Sequence, residues 1–208
     1  LDSTAVGDVV TATATDSSGN TSEFADVQAP SASGSSFNPA SELAVRFTFL
    51  EQISQSSLAA SDLIAVNLLT AQAVAASSVV LTDTSGRSTI SFLLPIDAPD
   101  GNYRFRLPAG SITDLNGNGS ALDAVLEGPD VFILAADANR DRAVNLDDFT
   151  ILAGNFGQTG RVFSQGDFDY DQSVNLDDFT LLAAQFGKTL PAAGDLPRGG
   201  GKRSLALH

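Results

Sequence analysis

The 208-residue sequence has no cysteine, no tryptophan and no methionine, and it has a single histidine. Thiolate zinc sites, disulfide bonds, thiol nucleophiles and histidine-dependent catalytic triads all need side chains that are missing or nearly so. No apolar run reaches the roughly 18 residues that a bilayer-spanning helix needs. We therefore expect a protein that is not an enzyme and does not insert into a membrane.

Basic residues are also scarce, because 11 lysines and arginines stand against 25 acidic residues and give a formal net charge of −14. This charge repels nucleic acid and anionic membrane surfaces and favours cations as partners. The absence of cysteine suits a bacterial secreted protein that is stabilised by metal ions. The chain starts at Leu1 and shows no signal peptide. We expect a monomeric C-terminal part of a longer protein whose targeting signal lies upstream.

The first two thirds of the chain show the two-residue period of β-strands. Residues 8–15 predict a strand, residues 16–20 a turn, and the Ser- and Gly-rich run at 31–36 indicates a domain boundary near residue 30. Apolar side chains then alternate with polar ones. The predicted inward-facing residues are Leu43, Val45, Phe47 and Phe49, then Ile90, Phe92 and Leu94, then Tyr103, Phe105 and Leu107. Together with apolar runs at 63–69, 79–81 and 131–134, this spacing predicts a β-sandwich.

One part of this predicted sandwich carries a family resemblance. The segment GNYRFRLPAGSITDLNGN, residues 101–118, resembles the closing portion of bacterial Ig-like domains in large surface and secreted proteins. The resemblance implies that residues 30–134 form an Ig-like spacer domain. Residues 6–24 are similar to the terminal strand of extracellular repeat domains, so residues 1–29 are expected to be the remnant of a preceding β domain.

The last third of the chain contains a duplicated segment. Residues 137–157 recur as residues 167–187 with 13 identities in 21 positions, and each copy has oxygen-bearing side chains at loop positions 1, 3, 5, 9 and 12. This is the spacing of an EF-hand calcium loop, in which position 7 adds a backbone carbonyl. The predicted metal ligands are Asp137, Asn139, Asp141, Ala143, Asn145 and Asp148 in the first loop and Asp167, Asp169, Asp171, Ser173, Asn175 and Asp178 in the second.

These ligand sets predict two Ca²⁺ ions. Ca²⁺ takes six to eight oxygen ligands, whereas zinc prefers nitrogen and sulfur and Mg²⁺ prefers a tighter octahedron. Closely spaced carboxylates repel one another unless a cation lies between them. Position 8 is valine in both loops, and we expect Val144 and Val174 to join the loops through a short β-bridge.

A helix is predicted after each loop, with Asn145 or Asn175 as its N-cap and Gly157 or Gly187 at its end. The segments before the loops are strand-like or loop-like, so the entering helix of an ordinary EF-hand is not expected. The apolar positions recur at helical spacing, and we expect most of them to pack as a core between the two helices. These positions are Leu146, Phe149, Leu152 or Ala153, and Phe156, with Leu176, Phe179, Leu182 or Ala183, and Phe186 in the second copy.

The tandem loops, DxNxDxxVN and DxDxDxxVN, closely resemble a type I dockerin over residues 135–189. The resemblance implies calcium in both loops and a helix surface that docks a cohesin domain. Position 6 departs from the usual glycine, being Arg142 in one loop and Gln172 in the other. Positions 10 and 11 depart from the small hydroxyl pair common in dockerins, which implies a partner of different specificity. The residues predicted to contact the partner are Leu146, Asp147, Leu176 and Asp177.

The sequence thus predicts a mainly β Ig-like sandwich followed by a small all-α, dockerin-like module of two EF-hand-type loop-helix units, with a disordered tail at 190–208. The predicted function is calcium-dependent attachment to a cohesin-like or other extracellular protein domain, in a secreted or cell-surface bacterial protein. The alternative is structural: calcium stiffens a stalk region that has no docking partner.

Overall fold

The structure is a computed structural model that describes residues 29–192 and two short strands, β1 (Thr13–Thr15) and β2 (Thr21–Glu23). These two strands pair antiparallel, with Thr13 opposite Glu23. The rest of the strand predicted at 8–15, the turn at 16–20 and residues 193–208 of the predicted tail lie outside the described residues. Among the described residues, no helix has the length and apolar character needed to cross a membrane.

The later strands build two antiparallel sheets. They are β3 (Ala32–Asn38), β4 (Ala44–Phe49), β5 (Ile64–Asn67), β6 (Ala73–Val74), β7 (Ser78–Thr84), β8 (Arg87–Leu93), β9 (Gly101–Leu107), β10 (Ala124–Leu126) and β11 (Phe132–Ile133). The first sheet has the order β3-β4-β8-β7. The second has the order β10-β9-β5-β6, and β11 pairs with the same β9 strand.

The alternation of side chains explains why these segments form sheets with one buried face. In β4, Val45, Phe47 and Phe49 are almost completely buried, as the sequence predicts. β7 and β8 are joined by the two-residue loop Ser85–Gly86, whose φ angles of 52° and 77° are those of a type I′ turn. This turn matches the natural twist of paired strands, so it fixes the register of the hairpin.

The second sheet shows the same division between its two faces. Tyr103, Phe105 and Leu107 of β9 are buried. Arg106 lies on the outer face of the sheet and forms an ion pair with Asp123 at 2.9 Å. Across the interior, the rings of Phe37 in β3 and Phe105 in β9 lie 5.5 Å apart between centroids. The two sheets therefore pack face to face around a shared apolar core. The prediction of a β-sandwich is confirmed.

One strand of the sandwich was not predicted. The Ser- and Gly-rich run at 31–36 was expected to mark a domain boundary, but most of it belongs to β3, which pairs with β4 along one edge of the first sheet. Its small polar side chains are mostly exposed. An edge strand needs only one hydrogen-bonded neighbour and little apolar surface, which is why a polar run can serve there.

After the sandwich the chain forms two loop-helix units with helices α1 (Leu146–Asn155) and α2 (Leu176–Gln185). Asn145 and Asn175 are their N-caps, as predicted, and their side-chain oxygens accept the backbone N–H of Asp147 and Asp177. In the described chain, β11 lies directly before the first loop and a 3₁₀ turn (Phe163–Gln165) directly before the second, and neither segment is an α-helix. The missing entering helix is therefore confirmed. The buried residues of these units form a second apolar core.

The two units are paired crosswise, which corrects the expected bridge between Val144 and Val174. Val144 N–H donates to the carbonyl of Lys188 (2.9 Å), which follows α2. Val174 N–H donates to the carbonyl of Gln158 (2.9 Å), which follows α1. Each loop is thus joined to the segment that leaves the other helix, and both valines are buried in the second core.

The second core lies directly against the end of the sandwich. Phe163 N–H donates to the carbonyl of Ala40 (2.9 Å), and the Tyr170 hydroxyl donates to the carbonyl of Pro39 (3.0 Å). Ala135 N–H donates to Asp100 Oδ1 (2.8 Å) at the point where the chain leaves the sandwich. The sandwich therefore provides a fixed support for both loops.

Candidate metal centre

The second loop brings three predicted ligands together. Asp167, Asp169 and Asp171 each place one carboxylate oxygen within 4.8 Å of the other two. Asp169 Oδ1 accepts the N–H of Asp171 (3.1 Å), and Asp171 Oδ1 accepts the N–H of Ser173 (2.7 Å). These local hydrogen bonds curl the backbone so that alternate side chains converge on one point.

The surroundings of Asp167 show whether this cluster fits a cation. The residue is only 2% exposed, its Oδ2 accepts the N–H of Gln172 (3.1 Å), and its Oδ1 is buried with no hydrogen-bond partner. Burial, followed by repulsion from Asp178 and the other loop carboxylates, raises the pKa of Asp167 to about 6. A buried carboxylate oxygen without a partner is costly. A divalent cation coordinated by this oxygen removes that cost, so the residues fit Ca²⁺.

Asp178, at position 12, connects this cluster to the helix. It is fully buried; its Oδ1 accepts the N–H of Phe168 (2.6 Å) and of Asp169 (3.3 Å), and its Oδ2 accepts the N–H of Asn175 (2.9 Å). An ionised carboxylate has about four acceptor sites, so these bonds leave one for a metal. Because Asp178 also lies in the first turn of α2, the cation site and the start of the helix share one side chain.

The first loop has a similar arrangement with one more neutral side chain among its predicted ligands than the second loop. Asp137 is 1% exposed and accepts the N–H of Asp141 on Oδ1 (3.1 Å) and of Arg142 on Oδ2 (2.9 Å). Burial, then repulsion from Asp148 and Asp141, raises the pKa of Asp137 to about 6. Asn139 stands where the second loop has an aspartate, and its amide donates to Asp141 Oδ2 (3.1 Å).

The remaining predicted ligands have structural roles of their own. Asn145 and Asn175 use their side-chain oxygens as N-caps, which leaves each amide oxygen one further acceptor site. Ala143 and Ser173, whose carbonyls are predicted ligands, lie in the crosswise bridges to Thr189 and Thr159. The bridges hold position 7 of each loop at a fixed place.

The backbone adopts the left-handed conformation at position 6 without glycine. Arg142 has φ = 75° and Gln172 has φ = 68°. Position 4 is left-handed as well, at Arg140 (58°) and Tyr170 (63°), a feature that sequence reasoning missed. Such angles cost a non-glycine residue of order 1 kcal/mol or more, so each loop contains backbone strain that surrounding contacts must offset.

The apolar stripe of the helices is mainly exposed, and the expectation that most of it forms a core between them is wrong. Only Leu152 and Leu182 are buried, at 1% and 2% exposure. The rings of Phe149 and Phe179 meet edge to face at the surface, with centroids 6.4 Å apart. We call the resulting surface the two-helix face. Its large exposed residues are Leu146, Phe149, Phe156, Leu176, Phe179 and Phe186.

The four predicted partner-contact residues lie at the starts of these helices. Leu146 and Leu176 are each 65% exposed, and Asp147 and Asp177 are exposed beside them. Their contact with a partner stays a prediction. The exposure of the phenylalanines was not predicted, because helical spacing alone does not show which side of a stripe is covered. No family model, curated protein or solved structure matches this chain.

Proposed function

We propose that residues 135–189 are a dockerin-like module that binds two Ca²⁺ ions and attaches its parent protein to a cohesin-type domain. The sandwich, proposed to be an Ig-like spacer, holds the module at a distance from the rest of a secreted or cell-surface bacterial protein. The first loop supplies Asp137, Asp141 and Asp148, and the second supplies Asp167, Asp169, Asp171 and Asp178. The proposal rests on the convergence of Asp167, Asp169 and Asp171 and on the unpartnered buried Oδ1 of Asp167.

The observation that carries the attachment role is the link between each loop and the two-helix face. The last acid of each loop, Asp148 or Asp178, is buried in the first turn of the helix that carries part of this face. A cation held by that acid fixes the start of the helix. Loss of the cation leaves buried like charges that repel one another, which loosens the helix. Binding to the face is therefore calcium-dependent.

The chemistry of the face indicates what kind of partner it fits. Exposed apolar patches of this kind on a protein surface are typical of interaction sites. The face carries exposed acids, Asp147 and Asp177, and neither helix contains a basic residue. A second copy of the same face would oppose apolar groups but would bring like charges together. The complementary partner is another protein domain with an apolar surface bordered by lysine or arginine.

Calcium binding is tested by isothermal titration of Ca²⁺ into the full chain. We expect two bound ions per chain. The variant Asp137→Asn/Asp167→Asn keeps the size of both buried side chains but removes their charges and replaces one acceptor oxygen of each by an NH2 group, so we expect it to lose most of the binding heat. Unchanged binding in this variant would show that the loops are not the sites.

Attachment is tested by surface plasmon resonance with the full chain immobilised and a panel of purified bacterial cohesin domains in solution. We expect at least one domain to bind in calcium and to dissociate in chelator. Leu146→Ser/Leu176→Ser should weaken this binding tenfold or more, since each lost apolar contact costs about 1 kcal/mol or more. Leu122→Ser is the matched control, because Leu122 is 73% exposed on the sandwich. Equal effects of the two variants contradict the proposal.

A structural role is the second candidate, and the close contact between the loops and the sandwich favours it. In that case calcium stiffens the end of the protein and no partner exists. Both roles predict protection from protease in calcium, but only attachment predicts that the leucine pair on the two-helix face affects binding to a cohesin domain. Protease protection together with no binding to any cohesin domain tested favours the structural role.

A further inference from the structure

The two loops differ most in charge. Residues 137–148 contain four acids and two arginines, a net charge of −2, whereas residues 167–178 contain five acids and no basic residue, a net charge of −5. At position 3 the first loop has Asn139 and the second has Asp169. Calcium affinity in such loops depends on the number of charged ligands and on the rigidity of the site. The charges alone favour the second loop.

The buried acids show the same difference. Both oxygens of Asp137 accept backbone N–H groups, at 3.1 and 2.9 Å. In contrast, Asp167 Oδ1 is buried without any partner, in a residue that is 2% exposed and belongs to the three-carboxylate cluster. A bound cation should therefore stabilise the second loop more than the first.

The arginines of the first loop are also its contacts with the sandwich. Arg142 donates to Asn102 Oδ1 (2.9 Å) in β9, to the carbonyl of Pro191 (2.8 Å) and to the carbonyl of Pro129. Arg140 donates to the carbonyl of Asp130 (2.8 Å). Both guanidinium groups lie 4.2 Å from the centroid of the Phe132 ring. The corresponding residues of the second loop make a smaller contact, with the Tyr170 hydroxyl bonded to the carbonyl of Pro39.

We call the contacts of Arg140 and Arg142 with the sandwich the arginine clamp. Arg142 joins this clamp to the first site. The backbone N–H of Arg142 donates to the predicted ligand Asp137, while its side chain contacts the sandwich. The left-handed backbone at Arg142 serves both contacts at once. An ion that orders this loop therefore also positions the guanidinium group on the sandwich, and by reciprocity the clamp strengthens the hold on the ion.

We infer that the second loop is the high-affinity calcium site, and that the first loop is a weaker site whose filling is coupled to the sandwich through Arg142. This inference rests on the calcium binding proposed above. It predicts a stepwise response: the second loop fills first, and the first loop then fills and completes the junction with the sandwich. Both helix starts of the two-helix face are fixed only after the second step.

The difference in affinity between the loops is tested by titrating the full chain with Ca²⁺ while following the backbone amides of Arg142 and Gln172 by NMR, one reporter for each loop. We expect the Gln172 signal to respond at a concentration about tenfold lower than the Arg142 signal. Asn139→Asp should strengthen the first site, and Asp169→Asn should weaken the second and bring the two responses together. Equal midpoints in the unchanged chain overturn the inference.

The coupling between the first site and the sandwich is tested with variants that leave the loop charge unchanged. Arg142→Lys keeps the charge but loses the planar group that reaches three acceptors, and Asn102→Ala removes an acceptor outside the loop. Each should weaken the first site about fivefold, the low end of typical couplings, and leave the second site unchanged. Arg161→Lys is the control, because its side chain bonds to Gln158 rather than to the sandwich. An unchanged first site in both variants overturns the coupling.

The Gln172 response also reports folding, since a misfolded variant loses both sites together. If Ca²⁺ binds neither loop of the unchanged chain, the proposed function fails and this inference fails with it. If both loops bind with equal affinity, only the inference fails.

Discussion

The sandwich and the loop-helix units both bury aspartates, but the pKa of the buried aspartate is shifted in opposite directions in the two regions. In the sandwich, Asp114 is buried, and its carboxylate accepts hydrogen bonds from the backbone and side chain of Asn118 and from the backbone of Asn116. Burial tends to raise its pKa, but these hydrogen bonds outweigh burial and the pKa is lowered. In the loops, burial prevails and raises the pKa of Asp137 and of Asp167 to about 6.

This difference shows which region is complete without a bound ion. The chain itself satisfies the buried acid of the sandwich, and the surrounding core is made of aromatic and aliphatic side chains. The loop-helix units have a smaller apolar core that encloses several carboxylates. We therefore expect the sandwich to be stable by itself and the loop-helix units to depend on calcium.

The largest expected effect is that of removing calcium. At free calcium about 1,000 times above its dissociation constant, each site stabilises the folded state by about 4 kcal/mol. Excess chelator should abolish the helical circular dichroism signal and remove amide protection in residues 135–190, while β4, β8 and β9 keep theirs. Hydrogen exchange read by mass spectrometry measures this. A loss of protection spread evenly over both regions would contradict the expectation that only the loop-helix units depend on calcium.

The next largest effect should come from the sandwich core. Phe47→Ala removes a ring that is fully buried and lies 6.3 Å from the ring of Phe92, and it should cost about 3–5 kcal/mol. Because the sandwich does not need the ion, we expect the same loss in calcium and in chelator, measured by urea unfolding. Leu122→Ala, at an exposed position, is the control and should change stability by less than about 0.5 kcal/mol. A loss that depends strongly on calcium would argue against an independent sandwich.

A smaller effect is expected at the start of the second helix. Asn175→Ala removes the N-cap hydrogen bond to Asp177 N–H (2.7 Å) and should cost about 1 kcal/mol of the stability of the loop-helix units. Asn145→Ala tests the same bond in the first unit, where the distance is also 2.7 Å. Thermal unfolding in saturating calcium measures both variants. Each variant should lose at least the roughly 1 kcal/mol of the cap, because each asparagine is also a predicted calcium ligand.

The last effect, whose sign depends on calcium, is that of pH. Without calcium, Asp137 and Asp167 have pKa values of about 6 in the folded chain, above the ordinary value of 3.8. The folded chain therefore binds more protons than the unfolded chain between about pH 4 and 6, and it loses stability as the pH rises through that range. With calcium the carboxylates are held ionised, so stability should rise with pH instead. In chelator the helical circular dichroism signal should be larger at pH 4.5 than at pH 6.5, and in calcium the urea midpoint of the loop-helix units should be higher at pH 6.5.

Much of this architecture could be predicted from the sequence because local patterns determine it. The alternation of Val45, Phe47 and Phe49 identifies a half-buried strand, and Asn145 followed by two aspartates identifies a helix start. The spacing of acids in the two loops likewise predicts which side chains converge. In each case the relevant neighbours are only a few residues away.

The features that were missed depend on contacts between distant parts of the chain. The strand β3 has too little apolar character to be recognised without its partner β4. Leu152 is buried in the second core next to Gly166, which lies 14 positions further along the chain, and this packing leaves Phe149 and Phe179 on the open side of the helices. The clamp of Arg142 on Asn102 joins residues that are 40 positions apart.

The crosswise pairing of the two loop-helix units makes neither of them self-sufficient. The hydrogen bonds from Val144 to Lys188 and from Leu190 to Arg142 mean that the last few described residues complete the first loop rather than the second. A protease that cut the chain just after the second helix would thus disable the site farther from the cut. Removing the chain from residue 188 onward is, in this topology, equivalent to damaging the beginning of the duplicated region.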